Sequence, residues 1–193
     1  DGSGRIILMD IASVHDREAQ VGSDGKKDNP HIREVANKMR QWSATRGVFD
    51  AGYGKDRNHE LLNLFPARVF SCFYPEAGAK SVKTFQDQWD ERGFKVSVDR
   101  TMTLKVATKM FVDRKVVIPE WVVSNPLFET FLTHVTNLVS IKDIEEDPST
   151  RTERIVERIG SLPGGDHLGH AWNYLTIALR AQKSGGGNSD FFM

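Results

Sequence analysis

Apolar and polar positions along this chain follow two periods, and the changes between them mark the elements. RIILMDIA, residues 5 to 12, is a nearly continuous apolar run and predicts a buried strand. DGSG before it is turn chemistry of the kind that closes a hairpin, and residues 13 to 28 are polar without a period. The period then becomes three and four. Ile32, Val35, Ala36, Met39 and Trp42 line one face of a helix over residues 30 to 45, with Asn29 as N-cap and Pro30 in the first turn. GVFD, residues 47 to 50, predicts a short strand ending on Asp50. AGYGKDRN is a glycine-rich loop, HELLNLF a short helix stopped by Pro66, and ARVFSCFY, residues 67 to 74, another strand. Strand, loop, helix and strand in that order predict a right-handed parallel crossover. Ligands of such sheets gather outside the carboxyl ends of the strands, where Asp50 stands.

Residues 75 to 93 read as loop, with Trp89 the only large anchor, and FKVSV, residues 94 to 98, as a strand. Asp99 caps a helix running through Arg114, with Leu104, Ala107 and Phe111 on one face. VVIP is a short strand, and Asn125 with Pro126 repeats the cap-and-proline start before a stripe of Leu127, Phe131, Leu132, Val135 and Leu138. VSIKDIEE and TERIVERIG flank the turn signal DPST and predict a largely exposed hairpin across residues 139 to 159. The last helix carries Leu168, Ala171, Trp172, Leu175, Ala178 and Leu179 at helical spacing, and the tail KSGGGNSDFFM is expected to be mobile.

With 193 residues the chain is long enough for one domain with a sizeable core. Its 26 basic residues balance 26 acidic ones, so nucleic-acid binding would have to come from a local patch. A single cysteine, Cys72, excludes an internal disulfide and a cysteine-based zinc cluster, and its apolar neighbours make it a core residue. The longest apolar runs are far short of a membrane span and no signal peptide is visible, which makes the cytosol the default setting. There is no Walker-type phosphate loop, no GxSxG and no HExxH. Lys105, Lys109, Arg114 and Lys115 could contact phosphates, and a solvated helix face explains them equally.

Two acids stand out. Asp50 ends a strand, and Asp166 follows a glycine pair at the mouth of the last helix. An acid there is favoured by the helix dipole, which is one sufficient reading of Asp166. The other is a metal-binding carboxylate, because carboxylates gathered without lysines repel one another until a divalent cation neutralises them. Hard oxygen donors suit Mg2+ or Mn2+, and two such ions about 4 Å apart can activate water and stabilise a leaving oxygen in phosphodiester cleavage. His167, next to Asp166, could orient water or contact a phosphate.

GGDHLGHAWNYLTIALRA, residues 164 to 181, resembles the Asp-His motif opening the last helix in the nuclease domain of phage large terminase subunits, down to the Ala178-Leu179-Arg180 ending. VFDAGYGKDRNHELL resembles the family's second motif, and VSVDRTMTLKVATKMFVDRKVVIP the segment between motifs. The resemblance covers nearly the whole chain in the right order. It implies an α/β, RNase H-like mixed sheet flanked by helices over residues 1–183, with an auxiliary β-hairpin and a flexible tail over 184–193. It implies a Mg2+- or Mn2+-dependent endonuclease that cuts concatemeric double-stranded viral DNA, using two ions. Asp50, Asp166 and His167 would be its catalytic residues, and Asp50 and Asp166 its metal ligands. Expected partners are the DNA, an upstream packaging ATPase domain, the small terminase subunit and the portal, with no membrane, in the host cytoplasm during virion assembly.

The chain departs from the family pattern twice. Where members commonly carry a second Asp, three residues after the motif histidine, His170 stands, read as a helix residue packed beside Trp172 or as a manganese ligand. The first strand should carry an acid and be followed by two more strands before the first helix. Asp10 is the candidate for that acid, but nothing between it and residue 30 reads as two strands. The better fit makes RIILMDIA the third strand and DGSG a remnant of the preceding turn, so that the first acid is missing. Two other readings stay open: another RNase H-like nuclease of resolvase or integrase type, and a truncated, non-catalytic module that binds DNA or protein.

Overall fold

The computed structural model describes residues 5–13, 20–21, 27–52, 55–75, 87–146 and 151–184. In chain order the elements are β1 (Ile6–Ile7), β2 (Gln20–Val21), β3 (Lys27–Asp28), α1 (Pro30–Gln41), β4 (Gly47–Asp50), α2 (Lys55–Leu64), β5 (Val69–Phe73), β6 (Gln88–Asp90) and β7 (Lys95–Ser97). They continue with α3 (Arg100–Val112), β8 (Val116–Val117), α4 (Glu120–Val123), α5 (Phe128–Thr136), β9 (Leu138–Glu146), β10 (Glu153–Ser161) and α6 (His167–Ser184). The protein is thus mixed α/β, and it divides into two compact units. One comprises Asp1–Ile11 and Asp99–Asn173, the other Ala12–Val98 and Tyr174–Met193. Among the described residues no helix is long and apolar enough to cross a membrane.

The second unit is built on a four-stranded mixed sheet of order β4-β5-β7-β6. β4, β5 and β7 are parallel, and β6 closes the edge antiparallel to β7. Strands buried on both faces need continuous apolar sequence, and VFSCF of β5 supplies it. Its alternate residues enter two cores. Phe70 and Cys72 join Val48, Val96, Val98 and, from α6, Ile177 and Ala178. Val69 joins Ile32, Ala36 and Met39 of α1 and Leu61 and Phe65 of α2. Helices therefore pack on both faces of this sheet.

Several elements here differ from their sequence reading. α2 starts at Lys55, ahead of the expected HELLNLF, because the glycines hide a run of helix-compatible residues before it. Its Asn58 is buried, donating to the Asp50 carbonyl at 2.6 Å. Gln88–Asp90, read as loop, is a strand. One apolar residue in three gives no period, and Trp89 is held by edge-on packing against Phe70 and by the Arg46 guanidinium over both rings. Trp42 is exposed as the C-cap of α1 and does not continue the buried face. β2 and β3 form an antiparallel pair between Asp10 and α1. This corrects the strand count that set Asp10 aside: two-residue strands with one valine between them give no period, yet two are present.

In the first unit β1 pairs in parallel with β8, Ile6 opposite Val116 and Ile7 opposite Val117. The strand is shorter than RIILMDIA, but Leu8 and Ile11 beyond it are buried with Ala107, Val122, Phe128, Phe131, Val135 and Trp172. Asp99 caps α3, its side chain accepting from the Met102 N–H at 2.9 Å. Asn125 does not cap α5. It accepts from the Leu127 N–H at 2.9 Å and donates to the Ile11 carbonyl at 2.8 Å, tying the segment before α5 to the end of the β1 segment. β9 and β10 form the expected hairpin, paired from Leu138 opposite Ser161 to Glu146 opposite Glu153. The turn expected at DPST lies outside the described residues, as does the tail from residue 185. The base of the hairpin is buried through Leu138 and Ile159, which pack on Leu104, while its outer part is exposed.

Leu104 is 0% exposed and Ile144 69%, so the two positions separate core from surface. Leu104→Ala is expected to cost roughly 2–5 kcal/mol in urea denaturation. Ile144→Ala should stay within about 0.5 kcal/mol of the parent.

Candidate metal centre

Asp50 is the last residue of β4, opposite Cys72 of β5. Its Oδ1 accepts from the Gly52 N–H at 3.0 Å, which turns the chain out of the strand, and its carbonyl is held by Asn58 at 2.6 Å. Burial pushes the Cys72 thiol up to about 12, with Asp50 and then Asp87 adding to the rise and Arg180 opposing it. Burial also raises the Tyr174 phenol, followed by the contributions of Tyr74, Asp50 and Cys72. Asp87 is paired with Arg180 through two hydrogen bonds of 2.8 and 3.1 Å. Cys72 is therefore a protonated core thiol at neutral pH and no nucleophile.

Asp166 belongs to the other unit and immediately precedes α6. Gly164 and Gly165 reach it through φ of 111° and 93°, values side-chain-bearing residues rarely take. Asn137 fixes this turn by donating to the Pro163 carbonyl at 3.3 Å and the Gly165 carbonyl at 2.9 Å. His134 Nδ1 accepts the Leu168 N–H at 3.3 Å and so serves an orphan donor of the first helical turn. The Ser161 hydroxyl donates to Asp166 Oδ2, and His170 Nε2 lies 3.4 Å from the same oxygen. Oδ1 meets His167 Nδ1 at 3.9 Å, beyond hydrogen-bond reach. The Ser161 bond holds the carboxyl below its ordinary range against partial burial, helped by His170 and His167. Stability from this arrangement is present above the ordinary carboxylate range and lost as pH falls through the lowered value.

His170 is not simply a packed helix residue. Its Nε2 lies 3.4 Å from Arg100 Nη2, whose neighbouring Nη1 donates to the Ile159 carbonyl at 3.1 Å. One ring nitrogen cannot accept from Arg100 and donate to Asp166 at once, so His170 serves one of them at a time. His167 has a side chain 91% exposed, with its ring edge-on to His134. Asp10 is half-buried beyond β1, in the same unit as Asp166. Lys105 pairs with Glu157 at 2.5 Å, and Lys109 and Lys115 with Asp113 at 2.5 and 4.0 Å, as a solvated, internally neutralised face would.

Ser161, Arg100, His134 and Asn137 have no counterpart in the sequence reading. Arg100 lies 70 positions from His170 and no local motif joins them. Ser161 was hidden as the polar end of a strand. The carboxylates of Asp50 and Asp166 fit Mg2+ or Mn2+ by donor chemistry, since both ions take oxygen ligands and Asp166 is held ionised. Among the described residues no three or more His, Cys, Asp or Glu side chains are grouped as a metal cage.

Because the native Cys72 pKa lies near 12 and the ordinary value is 9.0, the unfolded chain releases this proton first as pH rises. Stability should fall through that window by up to about 1.4 kcal/mol per pH unit. Denaturation from pH 8 to 11 should show a shallower fall in Cys72→Ala than in the parent. Equal slopes would place the thiol in water.

Comparison with protein-family models, with curated proteins and with solved structures returned no match.

Proposed function

We propose that this chain is the nuclease domain of a phage large terminase subunit, an RNase H-like endonuclease that cleaves concatemeric double-stranded viral DNA during packaging in the host cytoplasm. The observation that carries the reading is Asp166, held ionised at the opening of α6 inside the string GGDHLGHAWNYLTIALRA. Asp50 at the carboxyl end of a parallel strand supports it, followed as in the family's second motif by a glycine-containing turn and a helix. So does the order of elements at the start: β1 with Asp10 shortly beyond it, two short antiparallel strands, then α1. That order favours Asp10 as the first acid of the motif series.

Asp50 and Asp166 would be the ligands of Mg2+ or Mn2+. When bound, the ions supply an activated water and stabilisation of the leaving oxygen. The chain's own part is to orient the carboxylates and to keep that of Asp166 ionised. Exposed His167, beside Asp166, would contact a phosphate or orient water. Partners in this reading are the DNA duplex, an upstream packaging ATPase domain, the small subunit and the portal.

Plasmid nicking in Mn2+ or Mg2+ tests it. Asp50→Asn and Asp166→Asn should each abolish cutting while the circular dichroism spectrum stays that of the parent and the melt stays cooperative. Full cutting by both variants would sink the assignment. Linear duplex should be cut with little sequence choice, whereas preference for branched DNA would point to a resolvase.

A further inference from the structure

We propose that Ser161 is a positioning residue for Asp166: its hydroxyl anchors one carboxylate oxygen and so presents the other to a divalent cation. The inference rests on the reading of Asp166 as a metal ligand. Ser161 closes β10, and the chain returns to Asp166 through Leu162, Pro163, Gly164 and Gly165. The return is fixed independently of the serine, because the Leu162 N–H donates to the Asn137 carbonyl at 2.9 Å and the Asn137 amide holds Pro163 and Gly165. Serine and aspartate are thus brought together by the backbone, and the hydroxyl need not close the turn.

The terminal torsion of an aspartate is broad and roughly two-fold, so an unanchored carboxylate samples both oxygens. Here Oδ2 takes the Ser161 hydroxyl and faces His170 Nε2 at 3.4 Å, while Oδ1 lies 3.9 Å from His167 Nδ1 and outside hydrogen-bond range. The Asp166 side chain is only 21% exposed, so its orientation is set by these groups more than by water. Ser161 itself is exposed, and its hydroxyl has no packing role that would explain its aim. Hydrogen-bonded partners of metal-ligating side chains fix ligand orientation, and their loss typically weakens metal binding about 10–100-fold.

The experiment is calorimetric titration of the chain with MnCl2 alone, with thermal melts on every variant. Ser161→Ala should weaken Mn2+ binding by roughly tenfold or more while the chain stays cooperatively folded, its melt lowered only by the loss of that hydrogen bond. Ser161→Thr, which keeps a hydroxyl at an exposed position, should restore the parent affinity. Ser140→Ala, which removes another hairpin hydroxyl donating to a carboxylate, that of Glu157, should leave affinity unchanged. Parent-like binding by Ser161→Ala while Asp166→Asn loses binding overturns the role of Ser161 and leaves the metal reading standing. Parent-like binding by Asp166→Asn overturns both. Equal losses in Ser161→Ala and Ser161→Thr overturn the role of the hydroxyl.

Discussion

Trp172 fills a core made with Leu8, Ile11, Ala107, Phe128 and Phe131, its indole N–H donating to the Ala107 carbonyl at 2.8 Å. Further along the same helix, Ile177 and Ala178 fill a second core with Val48, Phe70, Cys72 and Val96. Within the first unit burial of Trp172 fixes the start of α6, and within the second burial of Ile177 and Ala178 fixes its later turns, since in proteins most helical stability comes from packing rather than propensity. The residues between obey the same constraint. Asn173 and Thr176 are wholly buried, and Asn173 donates to the Thr103 hydroxyl at 3.1 Å. Polar groups so placed need partners, and this one ties α6 to α3 within the first unit.

Everything proposed for Asp166 follows from where that helix begins. Glycines with positive φ deliver the chain to it, Asn137 braces the turn, and His134 serves a backbone donor of the first turn. The carboxylate then sits among Ser161, His170 and His167, which favour its charged form. Asp50 has a different setting. It ends a strand whose neighbour carries Cys72, and burial raises that thiol and the Tyr174 phenol, with a smaller contribution from Asp50 to each. Asp166 is thus stabilised by donors around it, whereas Asp50 sits beside a thiol and a phenol that stay protonated. Both acids offer the oxygen donors that a hard cation takes.

Elements carried by long periodic stretches were legible in the sequence. α1, α3, β5 and the β9–β10 hairpin lie where apolar spacing and cap residues predicted them, and Asp99 caps α3 through its side chain. The misses have physical causes. β2 and β3 are two-residue strands, β6 has one apolar residue, and α4 is a single turn, so none spans a full period. The apolar stripe of α6 was half right: Trp172 and Ala178 are buried, but Ala171 and Leu175 face water, because buried Asn173 and Thr176 rotate the inward face. At the candidate site the two acids were readable from their positions at element ends. Ser161 and Arg100 were not, because the fold brings them to Asp166 and His170 without any local spacing rule.

The central claim is that Asp50 and Asp166 are ligands of a catalytic divalent cation. Crystals soaked in MnCl2 and measured at the manganese absorption edge test it most directly. Anomalous peaks should lie at about 2.0–2.3 Å, the range for a hard divalent ion, from a carboxylate oxygen of each residue. Manganese bound only elsewhere, with both carboxylates free of it, would mean that neither is a metal ligand.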